Sequence, residues 1–457
     1  MRHALAHSIP FDPADPLAAL GRLPESPGVF ALYPADPASE FPAARPPEPY
    51  LSKTPNLRRR LIRFLRNGHS GPEPGQSAPA RSRRLQLAHM VRRIEYTATG
   101  SEFESSLCLY QASLGAFGDR ARKRLRLRPP AFLRMSLDNP FPRVYPTTKI
   151  SMRAANMLFG PFPSRAAAER YGEEMLNLFL LRRCTDDLHP DPNFPGCPYS
   201  EMKMCLAPCF EGCSDERYRQ ESEEVLAFLS TQGASLLRKL EAERNTASEA
   251  LEFERAASLH QKIQKVHAAL HFAGEAVRPL AALNGVLVQP SSEPGEVALF
   301  GLRSGALQGP VHFSTIGMRL ANEQSGSTSL FSQPVAVEAV PLEPPVLEAK
   351  AKQERRPNLS PQKNILEQRL EEALSPLQDV PDKHPSSQLL SDHLALFTRW
   401  FYRPAARREG EIVFAEADGE ISRKALLRAV SRVAVRAFAG IPDPDGGAPE
   451  RLDQTSR

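Results

Sequence analysis

Cysteine is scarce in this chain outside one short stretch. Of its six cysteines, five lie within residues 184–213 and only Cys108 lies elsewhere. The sequence has no run of about 20 apolar residues that would cross a membrane, and its first residues contain no apolar run of signal-peptide length. Disulfide bonds need an oxidising compartment, so these absences favour a cytoplasmic chain whose clustered cysteines bind metal.

Repeats are also absent, and charge and proline are unevenly spread. The sequence shows no long-period repeat, which excludes a solenoid. The net charge of +5 is modest for 457 residues, but arginine is concentrated in residues 58–66, 81–93 and 120–128. The 44 prolines indicate many loops and linkers. A chain of this length predicts about two to four domains.

The cysteine-rich stretch is also rich in proline, which prevents a long helix or a central strand through most of it. A loop-rich segment buries little apolar surface, so a cross-link is needed to order it. Four cysteines follow the spacing C-x12-C-x7-C-x3-C, at Cys184, Cys197, Cys205 and Cys209. Zinc and iron–sulfur clusters both accept four thiolates, so the spacing leaves both open. His189 is a further candidate zinc ligand, and Cys213 is an additional thiol beside the set.

The N-terminal region predicts a short strand followed by an arginine-rich helix. Residues 28–33 read as the strand, and Asn56 can cap a helix that begins at Leu57. Leu57, Leu61, Ile62 and Leu65 would share one face of this helix, with arginines on the other. The pattern fits either a surface helix with solvated arginines or a helix that follows a phosphate backbone.

These residues resemble the GIY-YIG nuclease domain as it occurs in the UvrC family. The family has a Pro-Gly-Val-Tyr strand, then Tyr-Ile-Gly-Lys, then a helix of the form Asn-Leu-Arg-x-Arg. Here Phe30 stands at the first tyrosine, Tyr50 at the second and Ser52 at the glycine. Lys53 and Arg60 fall on the family's active-site lysine and arginine.

The same resemblance places Gln111 at the glutamate that binds a divalent metal in the family. An amide carries no net charge and is a poorer ligand for a hard cation than a carboxylate, so the resemblance implies weak or lost endonuclease activity. The vestigial catalytic set is then Tyr50, Lys53, Arg60 and Gln111, with Mg²⁺ bound only if the nuclease is active. A shifted alignment would make Glu102 or Glu104 the metal carboxylate instead.

The basic residues near this site are candidates for DNA binding. They lie on the arginine-rich helix and in the segment that replaces the family's Pro-Arg-Tyr-Asn, and they are Arg58, Arg59, Arg63, Arg122, Lys123 and Arg124. The alternative interpretation is a solvated basic surface with no ligand.

The cysteine stretch resembles the UvrC family as well. The family has Phe-Gly-Pro-Phe-Pro, a helix, and then cysteines that end in Cys-Leu-x-Pro-Cys; here the order is residues 159–163, a predicted helix over residues 166–181, and Cys-Leu-Ala-Pro-Cys at 205–209. The resemblance implies a [4Fe–4S] cluster on Cys184, Cys197, Cys205 and Cys209, with zinc as the alternative.

Residues 234–273 have helical periodicity and contain a stretch that resembles the family's UVR motif. The resemblance implies a helical hairpin that pairs with a similar hairpin of a UvrB-type subunit. The predicted partner-binding residues form an apolar stripe of Phe253, Ala256, Ala257, Leu259 and Ile263. A self-contained surface hairpin is the alternative.

The C-terminal region alternates predicted strands and helices. Strands are predicted at residues 282–289, 296–302 and 411–414, helices at 390–401 and 422–438, and a polar, Pro-rich linker at 343–387. Trp400, Phe401 and Tyr402 are predicted to be core residues. We find no Asp-Asp-His set and no helix-hairpin-helix motif, so in extent the chain resembles short members of the family such as Cho.

Together these observations predict a multidomain α+β protein. The predicted units are a nuclease-like domain at 1–140, a metal-cluster region at 141–230, a UVR hairpin at 231–272, an α+β region at 273–440 and a disordered tail at 441–457. The predicted function is nucleotide excision repair with DNA and a UvrB-type helicase subunit as partners. The alternatives are a non-catalytic metal-bearing scaffold and an iron–sulfur redox protein, and nothing in the sequence resembles a flavin or nicotinamide motif for the latter.

Overall fold

A computed structural model describes residues 5–34, 48–65, 89–185, 187–318, 361–378, 385–416 and 418–438. Within these ranges, helices accompany three antiparallel sheets of four strands each, which confirms the predicted α+β class. The predicted tail at 441–457 lies outside the described residues, as do most of the arginine-rich residues 81–93.

The strands of the described residues are β1 (His7–Pro10), β2 (Gly28–Pro34), β3 (Tyr50–Thr54), β4 (Val91–Ala98), β5 (Ala131–Ser136), β6 (Arg143–Thr147), β7 (Leu158–Phe162), β8 (Arg278–Pro279), β9 (Gly285–Pro290), β10 (Glu296–Arg303), β11 (Ala306–Ser314) and β12 (Glu411–Phe414). The strand predicted at residues 411–414 is confirmed with the same bounds.

The α-helices of the same residues are α1 (Pro16–Leu20), α2 (Leu57–Leu65), α3 (Glu102–Phe117), α4 (Arg120–Leu125), α5 (Arg165–Leu176), α6 (Pro198–Glu201), α7 (Asp215–Ser230), α8 (Ala234–Glu249), α9 (Phe253–Leu270), α10 (Pro361–Gln378), α11 (Ser387–Phe401) and α12 (Arg423–Phe438). Short 3₁₀ turns cover Met152–Met157, Pro208–Phe210, Leu280–Ala282 and Ala405–Arg407.

The first sheet has the strand order β1-β4-β2-β3 and carries a helix on each face. Successive side chains of a strand point to opposite faces, so β2 contributes to two cores. Phe30 packs with Leu57 and Leu61 of α2, whereas Val29 packs on the other side with Ala112 of α3. The sheet therefore fixes the positions of α2 and α3, on its two faces, relative to its edge strand β3.

Asn56 caps α2, as the sequence predicted. Its side-chain oxygen accepts a hydrogen bond from the backbone N–H of Arg59 at 2.7 Å, which satisfies one of the free amides of the first turn. Leu57, Leu61 and Leu65 are buried on the inner face of the helix, and this also agrees with the predicted periodicity.

The second sheet has the order β6-β5-β7-β8 and begins inside the predicted 1–140 unit, because β5 belongs to it. Helix α5 packs on its inner face, and the same core continues through α7 into the hairpin of α8 and α9. Leu133, Tyr171, Phe228 and Ile263 are buried members of this core, one from each of β5, α5, α7 and α9. The cysteine-rich region and the hairpin are thus anchored to one common core.

The third sheet has the order β11-β10-β9-β12 and lies between two layers of helices. On one face, Val288 of β9 packs with Leu370 of α10 and Val430 of α12. On the other face, Phe300 of β10 packs with Phe397 of α11. A sheet that is covered on both faces explains why β9 and β10 read as nearly continuous apolar runs.

Helix α3 joins the first sheet to the C-terminal layers. The ring of Phe103 lies 5.2 Å from that of Phe300 and 5.5 Å from that of Trp400, measured between centroids. Gly100 lies so close to the backbone of Ser291 that a β-carbon there would sit 2.2 Å from its carbonyl carbon. The two units therefore pack directly against each other. The prediction of core residues is confirmed for Trp400 and Phe401, whereas Tyr402 is partly buried against the same core.

Two predictions about helices in the chain are wrong. The helix predicted over 166–181 ends at Leu176, because the chain turns away and the backbone N–H of Leu180 donates to Glu221 Oε1 at 2.6 Å. The predicted linker at 343–387 contains α10, whose Leu370, Leu374 and Leu377 are buried. These leucines have helical spacing, and the polar composition of the segment hid it.

Candidate functional site

The cysteine loop, residues 184–213, lies between the end of α5 and the start of α7. Arg182, which leads into it, is 2% exposed and donates Nε–H to the backbone oxygen of Phe141 at 2.8 Å. Its backbone N–H donates to the Tyr218 hydroxyl of α7 at 3.1 Å. The entry to the loop is therefore fixed by buried polar contacts before Cys184 is reached.

Inside the loop, turns replace long regular elements. Lys203, Ala207 and Glu211 adopt positive φ angles of 54°, 56° and 58°, a conformation that folds the chain back sharply. The backbone N–H of Asp191 donates to the oxygen of Cys209 at 2.9 Å, which ties the first half of the loop to the second. The turns bring cysteines that are far apart in the sequence into one region.

Cys205 is the member of the predicted ligand set that senses the other three thiols. Burial raises the pKa of Cys205 to about 11, and the neighbouring thiols of Cys184, Cys209 and Cys197 contribute in the same direction. The backbone N–H of Ala207 donates to Cys205 Sγ at 3.3 Å, and this hydrogen bond lowers the pKa in part. Arg182 Nη1 lies 3.6 Å from Cys184 Sγ as a further donor.

The donor chemistry of this region fits a metal that binds thiolates, either zinc or an iron–sulfur cluster. All six cysteines are free thiols rather than disulfides. The thiols do not form a closed ligand cage, because among the described residues no three His, Cys, Asp or Glu side chains are arranged to hold a metal ion. Metal binding displaces thiol protons, so such a site is commonly completed only by the metal.

The remaining candidate ligands lie at the margin of the loop. The side chain of His189 is 85% exposed, with Nε2 at 3.6 Å from Asp187 Oδ2, so it is solvated. Cys213 packs against the same core as Cys184 and Cys209, and burial raises its pKa. Cys108 lies on α3, far along the chain, and burial raises its pKa to about 11.

The first sheet and α2 bring together part of the predicted catalytic set. Phe30 is fully buried, and its ring lies 6.2 Å from the ring of Tyr50, which is 40% exposed. The ring centroids of Tyr50 and Phe64 lie 5.6 Å apart, and the Arg60 guanidinium lies 4.8 Å from the centre of the Phe64 ring. Tyr50 and Arg60 lie on the α2 side of β3, whereas Lys53 of β3 points to α3. We call the sheet edge that carries these three residues the nuclease-like face.

Lys53 on the nuclease-like face is engaged by a carboxylate. Its Nζ donates to Glu102 Oε1 at 3.1 Å and to Ser106 Oγ at 2.8 Å. Arg403, which follows α11, donates to both oxygens of Glu102 at 2.6 and 2.7 Å. The hydrogen bonds from Arg403, followed by those from Lys53, outweigh burial and lower the pKa of Glu102 to about 2.

This arrangement decides what Glu102 can do. Both of its oxygens are occupied by cationic donors, so a divalent cation would have to displace Arg403 and would be repelled by Lys53. Glu104 is 6% exposed and accepts a hydrogen bond from the backbone N–H of Gly100 at 2.8 Å. Burial raises the pKa of Glu104. Neither carboxylate is therefore a free metal ligand on the nuclease-like face.

Gln111 is not brought together with Tyr50. It lines a cavity of about 220 Å³ with Glu104, Cys108 and Phe300, between α3 and the third sheet. Tyr50 lines a different cleft, with Leu109 and Ser113 of the same helix. The structure thus places the predicted metal-binding position on another side of α3 from the tyrosine.

The arginines of α2 are in two different states. Arg58 donates Nε–H to the oxygen of Leu23 at 2.6 Å and pairs with Glu25 at 2.8 Å, so it holds the preceding loop in place. Arg59 and Arg63 are exposed, and neither forms an ion pair within the part of the chain that the structure describes. Of the three predicted DNA contacts on this helix, Arg59 and Arg63 are thus unpaired among the described residues.

The basic segment of α4 is more strongly committed to structure. Arg122 Nε lies 2.9 Å from Asp392 Oδ1, and this carboxylate is almost fully buried. Arg124 pairs with Glu48 at 2.7 Å, and Arg120 contacts the same carboxylate. Lys123 is exposed and has no ion-pair partner in the described ranges. Two of the three predicted DNA contacts in this segment, Arg122 and Arg124, are therefore engaged in ion pairs within the protein.

The hairpin of α8 and α9 divides the predicted partner stripe in two. Leu259 and Ile263 are buried in the core shared with α7 and the second sheet, so they are not available to a partner. Phe253 is 68% exposed, and Leu251 beside it is 70% exposed. The sequence pattern could not separate the two groups, because the same helical period describes a face on its own core and a face on a partner.

The residues that the sequence interpretation missed are charged residues whose ion-pair partners lie far away in the sequence. Glu48, Asp392 and Arg403 determine the state of Arg124, Arg122 and Glu102 respectively. Arg403 and Glu102 are 301 positions apart, and no local pattern links them. Only their meeting in space identifies them.

No helix in the described part of the chain combines the length and apolar character needed to cross a membrane.

Comparisons with known proteins match two segments of the chain. Residues 131–228 match the family model described as UvrC/Cho excinuclease, middle domain, and residues 234–269 match the UvrB/uvrC motif. The first match contains the cysteine loop and the second contains the hairpin. The resemblance predicted from the cysteine spacing and the helical repeat is therefore confirmed.

Individual relatives support the same conclusion. The chain is 30% identical over 248 residues to the UvrABC system protein C of Carboxydothermus hydrogenoformans, which covers 53% of this chain and 36% of that protein. It is 27% identical over 306 residues to the protein of the same name from Moorella thermoacetica, covering 65% of this chain and 45% of that protein. The chain thus spans less than half the length of these relatives. No solved structure matches it significantly.

Proposed function

Because the chain carries the middle domain and the UVR motif of the UvrC family, we propose that it acts in nucleotide excision repair as a DNA-binding protein that docks on a UvrB-type subunit. The observation that carries the proposal is the hairpin: its interior is packed on the chain's own core, yet its turn exposes large apolar side chains. A surface of this kind is typical of a protein interaction site.

The proposed partner surface is the end of the hairpin where α8 meets α9. Leu251 and Phe253 are exposed there, and Ala257 lies one turn further along α9. Small and apolar residues allow a second pair of helices to approach closely. An aromatic side chain at the centre of such a contact commonly supplies much of the binding free energy.

The test is the affinity of the intact protein for a purified UvrB-type subunit, measured by isothermal titration calorimetry. Phe253→Asp should weaken binding at least tenfold, since losing one buried aromatic costs about 1.5–3 kcal/mol and each 1.4 kcal/mol is about a factor of ten. Leu17→Asp is the matched control, because Leu17 is 53% exposed on α1 in the N-terminal unit. No binding by the unmodified protein, or equal affinities for the two variants, would contradict the proposal.

We further propose that Cys184, Cys197, Cys205 and Cys209 hold a [4Fe–4S] cluster, with zinc as the alternative metal. The proximity of the four thiols and the N–H donors at two of their sulfur atoms support this ligand set. A bound metal would cross-link a loop that has little apolar core of its own, so its role here is structural.

The proposal includes an endonuclease activity that is weak or lost. Phe30 has no hydroxyl where the family has a tyrosine, and Glu102 is occupied by Lys53 and Arg403. Gln111 lies in a separate cavity from Tyr50. These observations favour the alternative of a non-catalytic scaffold that binds DNA and its partner over an active nuclease.

A further inference from the structure

A cleft of about 490 Å³ lies where the segment after α4 meets α11 and the end of β7. Three arginines line it: Arg126 and Arg128 from the segment between α4 and β5, and Arg399 from the last turn of α11. No carboxylate is among its lining residues. We call it the arginine cleft.

The charge of the arginine cleft differs from that of its surroundings. Immediately before it, Arg120 and Arg124 share the single carboxylate of Glu48, and Arg122 is paired with Asp392. Immediately after α11, Arg403 is neutralised by Glu102. By contrast, the three arginines of the cleft are exposed and take part in no ion pair within the described ranges. The cleft therefore presents three arginines without a carboxylate partner among the described residues, whereas each neighbouring arginine of α4 contacts a carboxylate.

The floor of the cleft is rigid. Arg126 is held in the left-handed region at φ 50°, and its backbone oxygen accepts a hydrogen bond from Arg399 Nη2 at 3.3 Å. Pro129 and Pro130 restrict the backbone that follows Arg128. The Tyr402 hydroxyl donates to the oxygen of Pro161 at 2.7 Å and ties α11 to the second sheet. A rigid floor lowers the entropy that binding would otherwise cost.

The chemistry of the cleft selects a phosphate-bearing ligand. Guanidinium groups form bidentate hydrogen bonds with phosphate oxygens and stay charged at all relevant pH values. Of the two aromatic residues of the cleft, Phe162 is buried and Tyr402 is only partly exposed, so the cleft offers little ring surface on which an unpaired base could stack. The cleft thus favours contacts between its arginines and a phosphate backbone over stacking of single-stranded bases.

We propose that Arg126, Arg128 and Arg399 contact the phosphate backbone of duplex DNA, as a site that spans the segment after α4 and α11. This inference rests on the proposed function, because it names where a repair protein of this kind would hold its DNA. It also moves the expected contacts a few residues beyond Arg122 and Arg124, whose charges are matched within the protein.

The test is the salt dependence of binding to a 20-base-pair duplex, measured with the intact protein by fluorescence anisotropy. Each phosphate contact contributes about 0.9 to the slope of log affinity against log salt. Arg128→Gln with Arg399→Gln should therefore reduce the slope by about 1.8. The control is Arg165→Gln with Arg219→Gln, which also removes two positive charges. These exposed arginines are already paired, Arg165 with Glu169 and Arg219 with Glu216 and Glu223, so the control should leave the slope unchanged.

Each outcome decides the proposal. Equal reductions of the slope in the two double variants would show an effect of total charge only and would overturn the proposed DNA contacts. An unchanged slope in Arg128→Gln with Arg399→Gln would overturn them as well. No salt-dependent binding by the unmodified protein would overturn both the cleft and the DNA part of the proposed function. If Arg399→Gln impairs folding, Arg128→Gln alone should reduce the slope by about 0.9, because Arg128 forms no hydrogen bond in the described structure that folding would lose.

Discussion

Glu102 shows how one residue changes the meaning of a site. It lies at the start of α3 beside Lys53, where a carboxylate could serve a metal, but Arg403 occupies both of its oxygens. The side chains of Glu102 and Arg403 are 46% and 28% exposed, so water screens the pair and its contribution to stability is moderate. The chemical effect of the pair is larger, because the Glu102 carboxylate is no longer available to bind a cation.

The pairing predicts a specific response to pH. The pKa of Glu102 is lowered from 4.5 to about 2, so the pair stabilises the fold above the ordinary pKa, and this stabilisation is lost as the pH falls towards 2. Arg403→Ala should lower the free energy of unfolding by about 1 kcal/mol or less at neutral pH, with a difference that shrinks in acid. The carboxyl ¹³C shift of Glu102 should titrate at a higher pH in the variant.

Arg165→Ala provides the control for this measurement. Arg165 forms an exposed pair with Glu169 on α5, away from the nuclease-like face. It should leave the titration of Glu102 unchanged. An unaltered Glu102 titration in Arg403→Ala would show that the pair is not formed in solution.

At the scale of an element, the state of the cysteine loop depends on contacts outside its own sequence. Its entry is fixed by Arg182 and its exit by α7, but the loop itself is made of turns. A segment of this kind has few apolar contacts to order it, so its stability should depend on what the thiols bind. The four-thiol set and the N–H groups aimed at its sulfur atoms are the parts on which that dependence rests.

Anaerobically purified protein should contain iron and sulfide with broad visible absorbance. Cys205→Ser should abolish both and lower the thermal midpoint, because Cys205 belongs to the proposed ligand set and its charge is influenced by the other three thiols. Cys108→Ser is the matched control, since Cys108 is a buried thiol of α3 outside the loop, and it should keep the metal. Stoichiometric zinc without iron would contradict the assignment of an iron–sulfur cluster but would agree with the proposed four-cysteine ligand set.

At the scale of the whole molecule, the C-terminal layers complete the N-terminal unit. Phe103 and Tyr110 of α3 enter the core of the third sheet, and Tyr110 donates to Asp392 at 3.1 Å. The same interface supplies Arg403 to the nuclease-like face. The C-terminal unit therefore both buries α3 and determines the charge beside Lys53.

This arrangement predicts the result of an incision assay. With a damaged duplex, the partner ATPase and magnesium, incision should be absent or very slow although DNA binding remains. Gln111→Glu should recover little, since Gln111 lies in a cavity apart from Tyr50. Rapid magnesium-dependent nicking that Tyr50→Phe or Arg60→Ala abolishes would show that the nuclease is active.

The sequence alone determined the features that depend on local pattern. The spacing of four cysteines, the helical period of the hairpin and the cap at Asn56 each follow from neighbours within a few turns of chain. These features were enough to predict the α+β class and the family resemblance. They also predicted most strands and helices of the C-terminal region, but not β11 or α10, whose leucines were hidden by polar surroundings.

Only the tertiary structure decided which of the candidate residues are available. It neutralised Arg122 and Arg124 and left Arg128 and Arg399 unmatched, and it buried Leu259 while exposing Phe253. The physical reason is that charge pairing and burial depend on contacts between residues hundreds of positions apart, such as Arg403 and Glu102. A local pattern specifies the kind of side chain at a position, whereas its partners in space determine whether that side chain is free to bind.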